Sequence, residues 1–448
     1  MALPTLPSPE SPGRTGRRVS LTRNELAWLC AIVAIGFALR LAWVLTVHPL
    51  PGGLGDNGWY YATASNLAHG YGMTVSVLPG FGFAAGPGGY QAVFWPPGYS
   101  LTLAGFFSIF GSSADVAAGL NVAAGTITVL LTFLIGAHVF GSRAGLVAAA
   151  LFAIYPANIY WSDMVLSETV FSVPFGVAIV LLARTGRRPS PGLALLFGLA
   201  LGYAIIIRPQ AAVVWLAAVI TWWTLCGVRR DALRAAAISA IGIVVWVVPV
   251  CAWNSARTGE VQLLSTNAMF NLRVGHSPAA TGRYVHPRDP RDLLVITSPE
   301  YTEQGRNFRE AVTYAATHPV REAQLAAWKT IYLYGTDSDW ALWGLAFRPV
   351  WGSARTTQHL IDLGDAANVM MVLLVLASLP WTFSAKDERL ALCLTLAGWT
   401  AVHIVFFSEP RYHLPLLPIL LAMAARTLVE LPRLLWGQRV RPAPASEA

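Results

Sequence analysis

The stretch PPGYSLTLAGFFSIFG, residues 96–111, decides how this chain is threaded. It reads as an apolar helix over residues 97–111, but two prolines open it and Gly111 ends it. It therefore falls short of the roughly 20 apolar residues that a spanning helix needs. If it crossed a bilayer, Arg143 and the basic loops after it would face outward, against the usual excess of positive charge in cytoplasmic loops. We therefore expect a helix that lies along the outer interface.

Composition indicates a membrane protein. The 448 residues are 55% hydrophobic and 12% charged, with a mean hydropathy of +0.52, whereas soluble domains carry about 25% charged residues. Much of the net charge of +8 lies in short loops between apolar segments and at the two ends, which is typical of membrane proteins and not of a nucleic-acid binder. The four cysteines stand far apart and form neither a metal motif nor a disulfide framework.

Ten further apolar segments are predicted to span the membrane. They are residues 25–48, 114–138, 143–161, 167–184, 192–208, 209–226, 232–254, 365–384, 389–408 and 411–432. The sequence thus predicts an all-α polytopic membrane protein with about ten transmembrane helices and a first outer loop, 49–113, with interfacial helices. The polar stretch 255–364 is expected to form a small extracytoplasmic helical cap. In it, Pro319 starts a helix with apolar residues at helical spacing, namely Leu325, Trp328, Ile331 and Tyr332.

The basic residues orient these helices. The loops and tails expected in the cytoplasm contain Arg14, Arg17, Arg18, Arg23, Arg143, Arg184, Arg187, Arg188, Arg229, Arg230, Arg234, Lys386, Arg389, Arg433, Arg439 and Arg441. We expect a plasma (inner) membrane protein with both termini cytoplasmic, an uncleaved signal-anchor helix first, and its chemistry on the periplasmic or exterior face. The predicted parts are a basic tail, an N-terminal transmembrane core, the cap, C-terminal transmembrane helices and a second tail, at residues 1–24, 25–254, 255–364, 365–432 and 433–448.

One acid stands alone in the first outer loop. In PGGLGDNGWYYATASNLAHGYG, residues 51–72, Asp56 is the only Asp, Glu, Lys or Arg between Arg40 and Asp115. As part of GDNG it fits a turn. A carboxylate among glycines and aromatics, near the start of a helix, also fits a general base.

Other charged residues fall at outer helix boundaries. Asp163 and Glu168 lie in YWSDMVLSE, at an outer helix boundary where Ser167 is an N-cap signal. Either one of the two acids caps the following helix, or Glu168 faces the same cavity as Asp56. Arg208 ends the apolar run of YAIIIRPQ. It either snorkels to the surface or binds phosphate, whose oxygens match a guanidinium fork.

The last outer turn, SEPRYHLPLLPIL, completes the candidate site. Its Arg411 either pairs with Glu409 or reaches an anionic substrate. Aromatic residues near these charges serve either as membrane anchors or as walls for a sugar ring, among them Tyr60, Trp95 and Tyr412. Arg40, inside the first helix, is expected to snorkel. The sequence has no HExxH or other metal spacing, no phosphate-binding loop and no dinucleotide fingerprint.

The order of the motifs resembles a known family. GD…Y…A…L…G is followed by PPGY…FG, FGSRAG…YP…LSE, G…IIIRP and RYHLPLLP, with STNAMFNLRVGHSPAATGRY, residues 265–284, between the last two. Together with the non-crossing helix, this order resembles the C-type polytopic glycosyltransferases. The most similar branch contains the bacterial protein O-mannosyltransferase and aminoarabinose-transferase relatives.

The resemblance implies an enzyme that moves a sugar from a polyprenyl-phosphate carrier in the lipid bilayer to an extracytoplasmic acceptor, which is a protein, lipid or cell-wall glycan. It implies Asp56 as the base and Glu168 as the acid of the second outer loop. Many family members carry a second acid beside the first, and here that residue is Asn57. No cofactor is fixed by the motifs, although Glu168 is compatible with a divalent cation.

A mechanism follows from these assignments. Asp56 would take the acceptor proton in a single inverting displacement. Arg208 or Arg411 would stabilise the leaving lipid phosphate. The other expected substrate contacts are Asp163, Tyr60, Trp95 and Tyr412. A polytopic lipid or sugar transporter or flippase without transferase activity is the alternative, although transporters often show internal repeats and this sequence shows none.

Overall fold

The computed structural model describes residues 20–47, 55–78, 82–285, 303–339, 350–383 and 386–435. The α-helices are α1 (Arg23–Val47), α2 (Gly55–Ala68), α3 (Gly98–Phe110), α4 (Ala114–Phe140), α5 (Ser142–Ile154), α6 (Pro156–Tyr160), α7 (Ser167–Thr185), α8 (Pro191–Ile207), α9 (Val213–Leu225), α10 (Arg229–Thr258), α11 (Ala268–Gly275), α12 (Gln304–Thr317), α13 (Pro319–Tyr334), α14 (Ala354–Thr382), α15 (Arg389–Val405) and α16 (Leu417–Leu435). The strands are β1 (Thr74–Leu78), β2 (Gly82–Ala84) and β3 (Tyr90–Gln91).

The polytopic helical architecture predicted from the sequence is confirmed. Within the described ranges, six segments are long and apolar enough to cross a membrane: α1, α4, α7, α10, α14 and Pro410–Leu431, which contains most of α16. A seventh is the bent pair formed by α5 and residues 156–163, whose halves differ in direction by 54°. Three shorter apolar helices, α8, α9 and α15, occupy the remaining predicted spans. The two predicted tails lie mostly outside the described residues.

The first outer loop folds as two helices and a small sheet. Helix α2 packs on α3 through Tyr61 and Phe107, whose ring centroids are 5.4 Å apart. Helix α3 has only 13 residues. At its start, a Cβ on Gly98 would stand 2.7 Å from the Ile206 carbonyl oxygen, so glycine allows α3 to meet the end of α8. The sheet is antiparallel, in the order β2-β1-β3. The sheet is not predicted from the sequence, because the three strands are too short to show a clear alternating pattern.

Glycines also allow α8 and α10 to cross closely. A Cβ added at Gly198 would overlap the carbonyl oxygen of Ser239, and one added at Gly242 would stand 2.7 Å from the Gly198 carbonyl carbon. Apolar helices in lipid gain little hydrophobic energy from association, so close backbone packing supplies much of the attraction. This crossing fixes α8, the helix whose end carries Arg208.

The break between α5 and α6 accounts for a buried arginine. Tyr155 is extended and a proline follows it, so the last carbonyls of α5 lose their usual helical partners. Arg40 of α1 donates to the carbonyl oxygens of Phe152 and Ala153, at 3.3 and 3.2 Å, and to Asn158 Oδ1 at 2.7 Å. The expectation that Arg40 snorkels is wrong, because its side chain is fully buried and caps a broken helix.

The described part of the polar stretch after α10 contains α11, α12 and α13, as expected for a helical cap. Helix α13 begins at Pro319, as predicted. The face that it buries is formed by Leu325, Lys329 and Leu333. Trp328 and Ile331, which the spacing grouped with Leu325, are instead about half exposed.

Candidate active site

Two of the predicted acids lie in the first turns of helices. Asp56 lies in the first turn of α2 and Glu168 in the first turn of α7. The N-terminal end of a helix dipole favours a carboxylate there. The Glu168 side chain is 1% exposed and that of Asp56 is 17% exposed. Ser167, considered from sequence as a cap for α7, is its first helical residue, and Leu166 occupies the cap position.

Two predicted arginines join these acids. Arg411 Nη2 lies 2.9 Å from Asp56 Oδ2, and its Nη1 lies 3.6 Å from Glu168 Oε1. Arg208 Nη2 lies 2.5 Å from the same Glu168 oxygen, and its Nε donates to Ser167 Oγ at 3.0 Å. Asp56, Arg411, Glu168 and Arg208 therefore form one continuous row of alternating charge, called the charge cluster below.

Local structure explains the positions of the two arginines. Arg208 follows the last residue of α8, and the proline after it begins a short 3₁₀ turn. Arg411 lies in the proline-containing 3₁₀ turn Pro410–Leu416 before α16. Arg208 does not snorkel, because its side chain is only 10% exposed and pairs with Glu168. Two positive and two negative charges can share this buried place because each has an opposite partner.

Aromatic rings lie beside the charge cluster. The guanidinium carbons of Arg208 and Arg411 lie 5.6 and 5.3 Å from the centroid of the Tyr412 ring. The Tyr60 ring lies 5.0 Å from that of Tyr99 and 6.4 Å from that of Trp95. Burial raises the pKa of Tyr60, and the negative charge of Asp56 raises it further. Its hydroxyl therefore stays protonated at neutral pH.

Asp163 has a different neighbour from the other predicted acids. Its Oδ1 accepts a hydrogen bond of 3.2 Å from the indole nitrogen of Trp43, on α1. Trp43 also donates to the carbonyl oxygen of Tyr160 at 3.1 Å. Asp163 thus fastens α1 to the turn before α7.

Sequence reasoning missed the partner of Glu409. Glu409 is bound by Arg283 and Tyr284: its Oε2 accepts from Arg283 Nη2 at 2.6 Å, and its Oε1 accepts from the Tyr284 backbone at 2.9 Å. Asp339 accepts from Arg283 Nη2 at 2.9 Å and from the Arg411 backbone at 3.3 Å. Burial, with the nearby charge of Glu409, raises the pKa of Asp339 to about 6. The only sequence signal was GRY at the end of the 265–284 stretch that carried the family resemblance.

The residues of the charge cluster do not fit a divalent cation. In the part of the chain that the structure describes, no group of three or more His, Cys, Asp or Glu side chains is placed to hold a metal ion. Asp56 and Glu168 both direct oxygens at guanidinium groups instead. A cation between them would be repelled by the positive charge of Arg411, so these residues do not suit a metal-dependent step.

Comparison with known proteins supports the architecture. Residues 95–253 match the profile of a family described as dolichyl-phosphate-mannose-protein mannosyltransferase. The matched range contains α3, Glu168 and Arg208. No curated protein sequence matches the chain.

The structure is similar to solved membrane enzymes. It matches the oligosaccharyltransferase AglB from Archaeoglobus fulgidus, in complex with an inhibitory peptide and a dolichol-phosphate, with a TM-score of 0.52 and 14% identity, over 95% of this chain and 53% of that one. The apo form of the Archaeoglobus fulgidus oligosaccharyltransferase gives a TM-score of 0.56 at 14% identity, over 94% and 52% of the two chains. ArnT from Cupriavidus metallidurans, in the apo state, gives a TM-score of 0.49 at 14% identity, over 93% and 62%.

The family profile match and the fold shared with the oligosaccharyltransferase structures confirm the predicted resemblance to the polytopic membrane glycosyltransferases. At such low identity the solved oligosaccharyltransferase structures show a shared fold. The chain spans about half the length of the oligosaccharyltransferase it matches.

Proposed function

We propose that the protein is an integral membrane glycosyltransferase that moves a sugar from a polyprenyl-phosphate-linked donor to an extracytoplasmic acceptor, a protein, lipid or cell-wall glycan. The observation that carries the proposal is the charge cluster, in which a partly exposed carboxylate and two buried guanidinium groups lie together. Such a group can supply a base for the acceptor and positive charge for a leaving phosphate. The family profile match and the shared fold support the same reaction class.

Asp56 is the base in this proposal. Its side chain is the most exposed of the four in the charge cluster, so an acceptor hydroxyl can approach it. The acceptor oxygen bonds to the anomeric carbon as its proton passes to Asp56, and the bond from that carbon to the phosphate oxygen breaks. One displacement by one acceptor inverts the anomeric centre. General-base assistance of this kind contributes about 10²–10⁴-fold to the rate.

Arg411 and Arg208 stabilise the leaving group. A polyprenyl-phosphate sugar carries one negative charge, and the departing polyprenyl phosphate gains a second. Arg411 is bound to Asp56 at 2.9 Å. A phosphate competes with Asp56 for this guanidinium, because the planar fork matches phosphate oxygens. Donor binding would therefore release the Asp56 carboxylate at the moment it is needed as a base, and Glu168 would keep both arginines in place.

The aromatic rings give the site its walls. Tyr412 lies beside both guanidinium groups, and Tyr60, whose ring lies near that of Trp95, follows Asp56 by one turn of α2. In the proposed enzyme they flank the sugar, and Asp163 supports the rim through Trp43. The site faces the periplasm or exterior of a plasma membrane with both termini cytoplasmic. Residues 25–254, with the outer loop 49–113, form the catalytic core, and 255–364 and 365–432 complete it.

Replacing Asp56 tests the proposal. Purified protein in nanodiscs is given radiolabelled polyprenyl-phosphate sugars and a membrane extract as acceptor. We expect Asp56→Asn to lose transfer by about 10²-fold or more, because the amide cannot accept the proton. Asp115→Asn is the matched control, since Asp115 is an exposed acid in the first turn of α4 and should transfer like the wild type.

Two other outcomes would change the assignment. Equal transfer by the wild type and Asp56→Asn would keep the enzyme but move the base elsewhere, with Glu168 next to be tested. If folded wild-type protein neither transfers nor hydrolyses any donor of a broad panel, the transferase proposal fails. Movement of labelled lipid across the bilayer would then favour a flippase.

A further inference from the structure

The turn that carries Arg411 is held from outside the charge cluster. Arg283 donates to Glu409 Oε2 through both Nε and Nη2, at 3.0 and 2.6 Å. Its Nη2 also donates to Asp339 Oδ1, and the other oxygen of Asp339 accepts from the Arg411 backbone. The Arg283 guanidinium thus binds both Glu409, two residues before Arg411, and Asp339, whose carboxylate accepts from the Arg411 backbone.

A second tether acts two residues further along the turn. His413 Nε2 lies 2.9 Å from Asp337 Oδ1, and the other Asp337 oxygen accepts a 2.6 Å hydrogen bond from the Tyr155 hydroxyl. Asp337 and Asp339 therefore hold His413 and Arg411 respectively. Two residues of the segment after α13, spaced two positions apart, thus bind two residues of the turn with the same spacing. This pairing fixes the register between the segment and the turn.

Residues of α11, of the stretch after it and of α13 contact the end of α15 and the residues that follow it. Lys329 Nζ donates to the Ile404 carbonyl oxygen at 2.8 Å, and the Ser408 backbone donates to the Gly282 carbonyl oxygen at 3.0 Å. Gly275 packs so closely on Phe406 that a Cβ would overlap its carbonyl oxygen. The described residues of this region, 268–285 and 303–339, therefore form an anchored support for the turn.

Arg411 needs such support because its guanidinium serves two carboxylates. It lies 2.9 Å from an oxygen of Asp56 and 3.6 Å from an oxygen of Glu168, which come from different helices. A displacement of about 1 Å in a reacting or stabilising group can cost about 10²-fold in rate. A small movement of the turn would thus weaken any action of Arg411 on a leaving phosphate.

We propose that Arg283 is a positioning residue that fixes the position of Arg411 through Glu409 and Asp339, so that the region of α11, α12 and α13 forms part of the transferase site. The link between this role and catalysis rests on the proposed function. The positioning of the turn can be measured without any activity.

Hydrogen exchange tests the positioning directly. We expect Arg283→Met to raise amide exchange in a peptide covering residues 409–414 and to leave exchange in α4 and α7 unchanged. Arg309→Met is the matched control, because Arg309 is an exposed arginine on α12 of the same outer region, and its replacement should leave the 409–414 peptide protected. Glu409→Gln should reproduce the effect of Arg283→Met. An unchanged 409–414 peptide in both variants would overturn the proposal.

Kinetics test the connection to the reaction. We expect Arg283→Met to lower kcat for sugar transfer by about 10- to 100-fold with little change in KM for the donor, and Arg283→Lys to restore part of the rate. In an Arg411→Met protein, adding Arg283→Met should change the residual rate by less than about 2-fold, since coupled residues do not add. A purely structural role would lower the rate and the melting temperature equally in both backgrounds.

The two proposals fail in distinguishable ways. If exchange rises as expected but wild-type protein transfers no sugar, the transferase function is wrong and the positioning of the turn stands. If wild-type protein transfers sugar and Arg283→Met is as active as Arg309→Met, the function stands and the positioning role is overturned.

Discussion

Glu168 is the carboxylate that neutralises both arginines of the charge cluster. It lies within 4 Å of both guanidinium groups, and its side chain is 1% exposed. Arg411 has a second carboxylate in Asp56, whereas the carboxylate that pairs with Arg208 is that of Glu168. Loss of Glu168 would therefore leave the charge of Arg208 buried, with the uncharged Ser167 hydroxyl and Tyr412 ring as its described contacts.

We expect Glu168→Gln to be strongly destabilising. Removing one partner of a buried ion pair costs about 3–5 kcal/mol, because the remaining charge is desolvated without compensation. The melting temperature in detergent should fall clearly. Adding Arg208→Met should recover part of the loss, since the orphaned charge is then removed as well. A double variant less stable than Glu168→Gln would show that Arg208 has stabilising contacts independent of Glu168.

At the scale of residues, the sequence revealed the charges that stand alone but not their partners. Asp56 is conspicuous because its surroundings are apolar, and Arg208 because it ends an apolar run. Arg283 lies in an ordinary polar stretch, and its partner Glu409 is 126 residues away. Pairing over such a distance depends on the tertiary fold, which local pattern does not reveal.

Helices α8 and α10 show how a single element is specified by its small residues. Gly198 faces the backbone of α10, and Gly192, also on α8, has open space around it. Both are glycines in a helix, so replacement by alanine raises helix propensity at each, in full at the interior position 198 and less in the first turn at position 192. Only the alanine at position 198 would meet a neighbouring helix, so comparing the two variants separates the effect of helix packing from that of helix propensity.

We expect Gly198→Ala to destabilise the protein and Gly192→Ala to be neutral or mildly stabilising. The methyl group at position 198 would overlap the Ser239 carbonyl oxygen and push the helices apart. Overpacking of this kind typically costs about 1–3 kcal/mol. Thermal unfolding of both variants in the same detergent measures the difference. Equal melting temperatures would mean that the α8–α10 crossing adjusts without cost.

The elements that the sequence predicted best are the long apolar ones. Their length separates them from buried core helices, and most keep close to their predicted bounds, although α14 begins at Ala354, well before the predicted start at residue 365. The small sheet was missed because its longest strand has five residues. The bend between α5 and α6 was missed as well, because residues 143–161 read as one apolar run. In the structure that run is interrupted at Tyr155, and Arg40 binds a carbonyl oxygen at the end of α5.

At the scale of the whole molecule, the threading determines which side the charge cluster faces. Asp56 precedes α3 and Glu168 follows α4 and the bent α5–α6 pair, so both acids reach one side only if α3 does not cross. Helix α3 is a short apolar helix of 13 residues, packed on α2, and it does not reach the length of a span. The contact of both acids with Arg411 requires the same arrangement.

We therefore expect cysteines at Tyr71 and Asp115, on either side of α3, to react from the same side of the membrane. The experiment replaces the native residues Cys30, Cys226, Cys251 and Cys393 and compares labelling by an impermeant thiol reagent in intact cells and in inverted vesicles. Arg188→Cys, in the basic loop after α7, is the control for the opposite side. A crossing α3 would make Tyr71→Cys and Asp115→Cys react from opposite sides, whereas reaction of both from the cytoplasm would place the charge cluster there and exclude an extracytoplasmic acceptor.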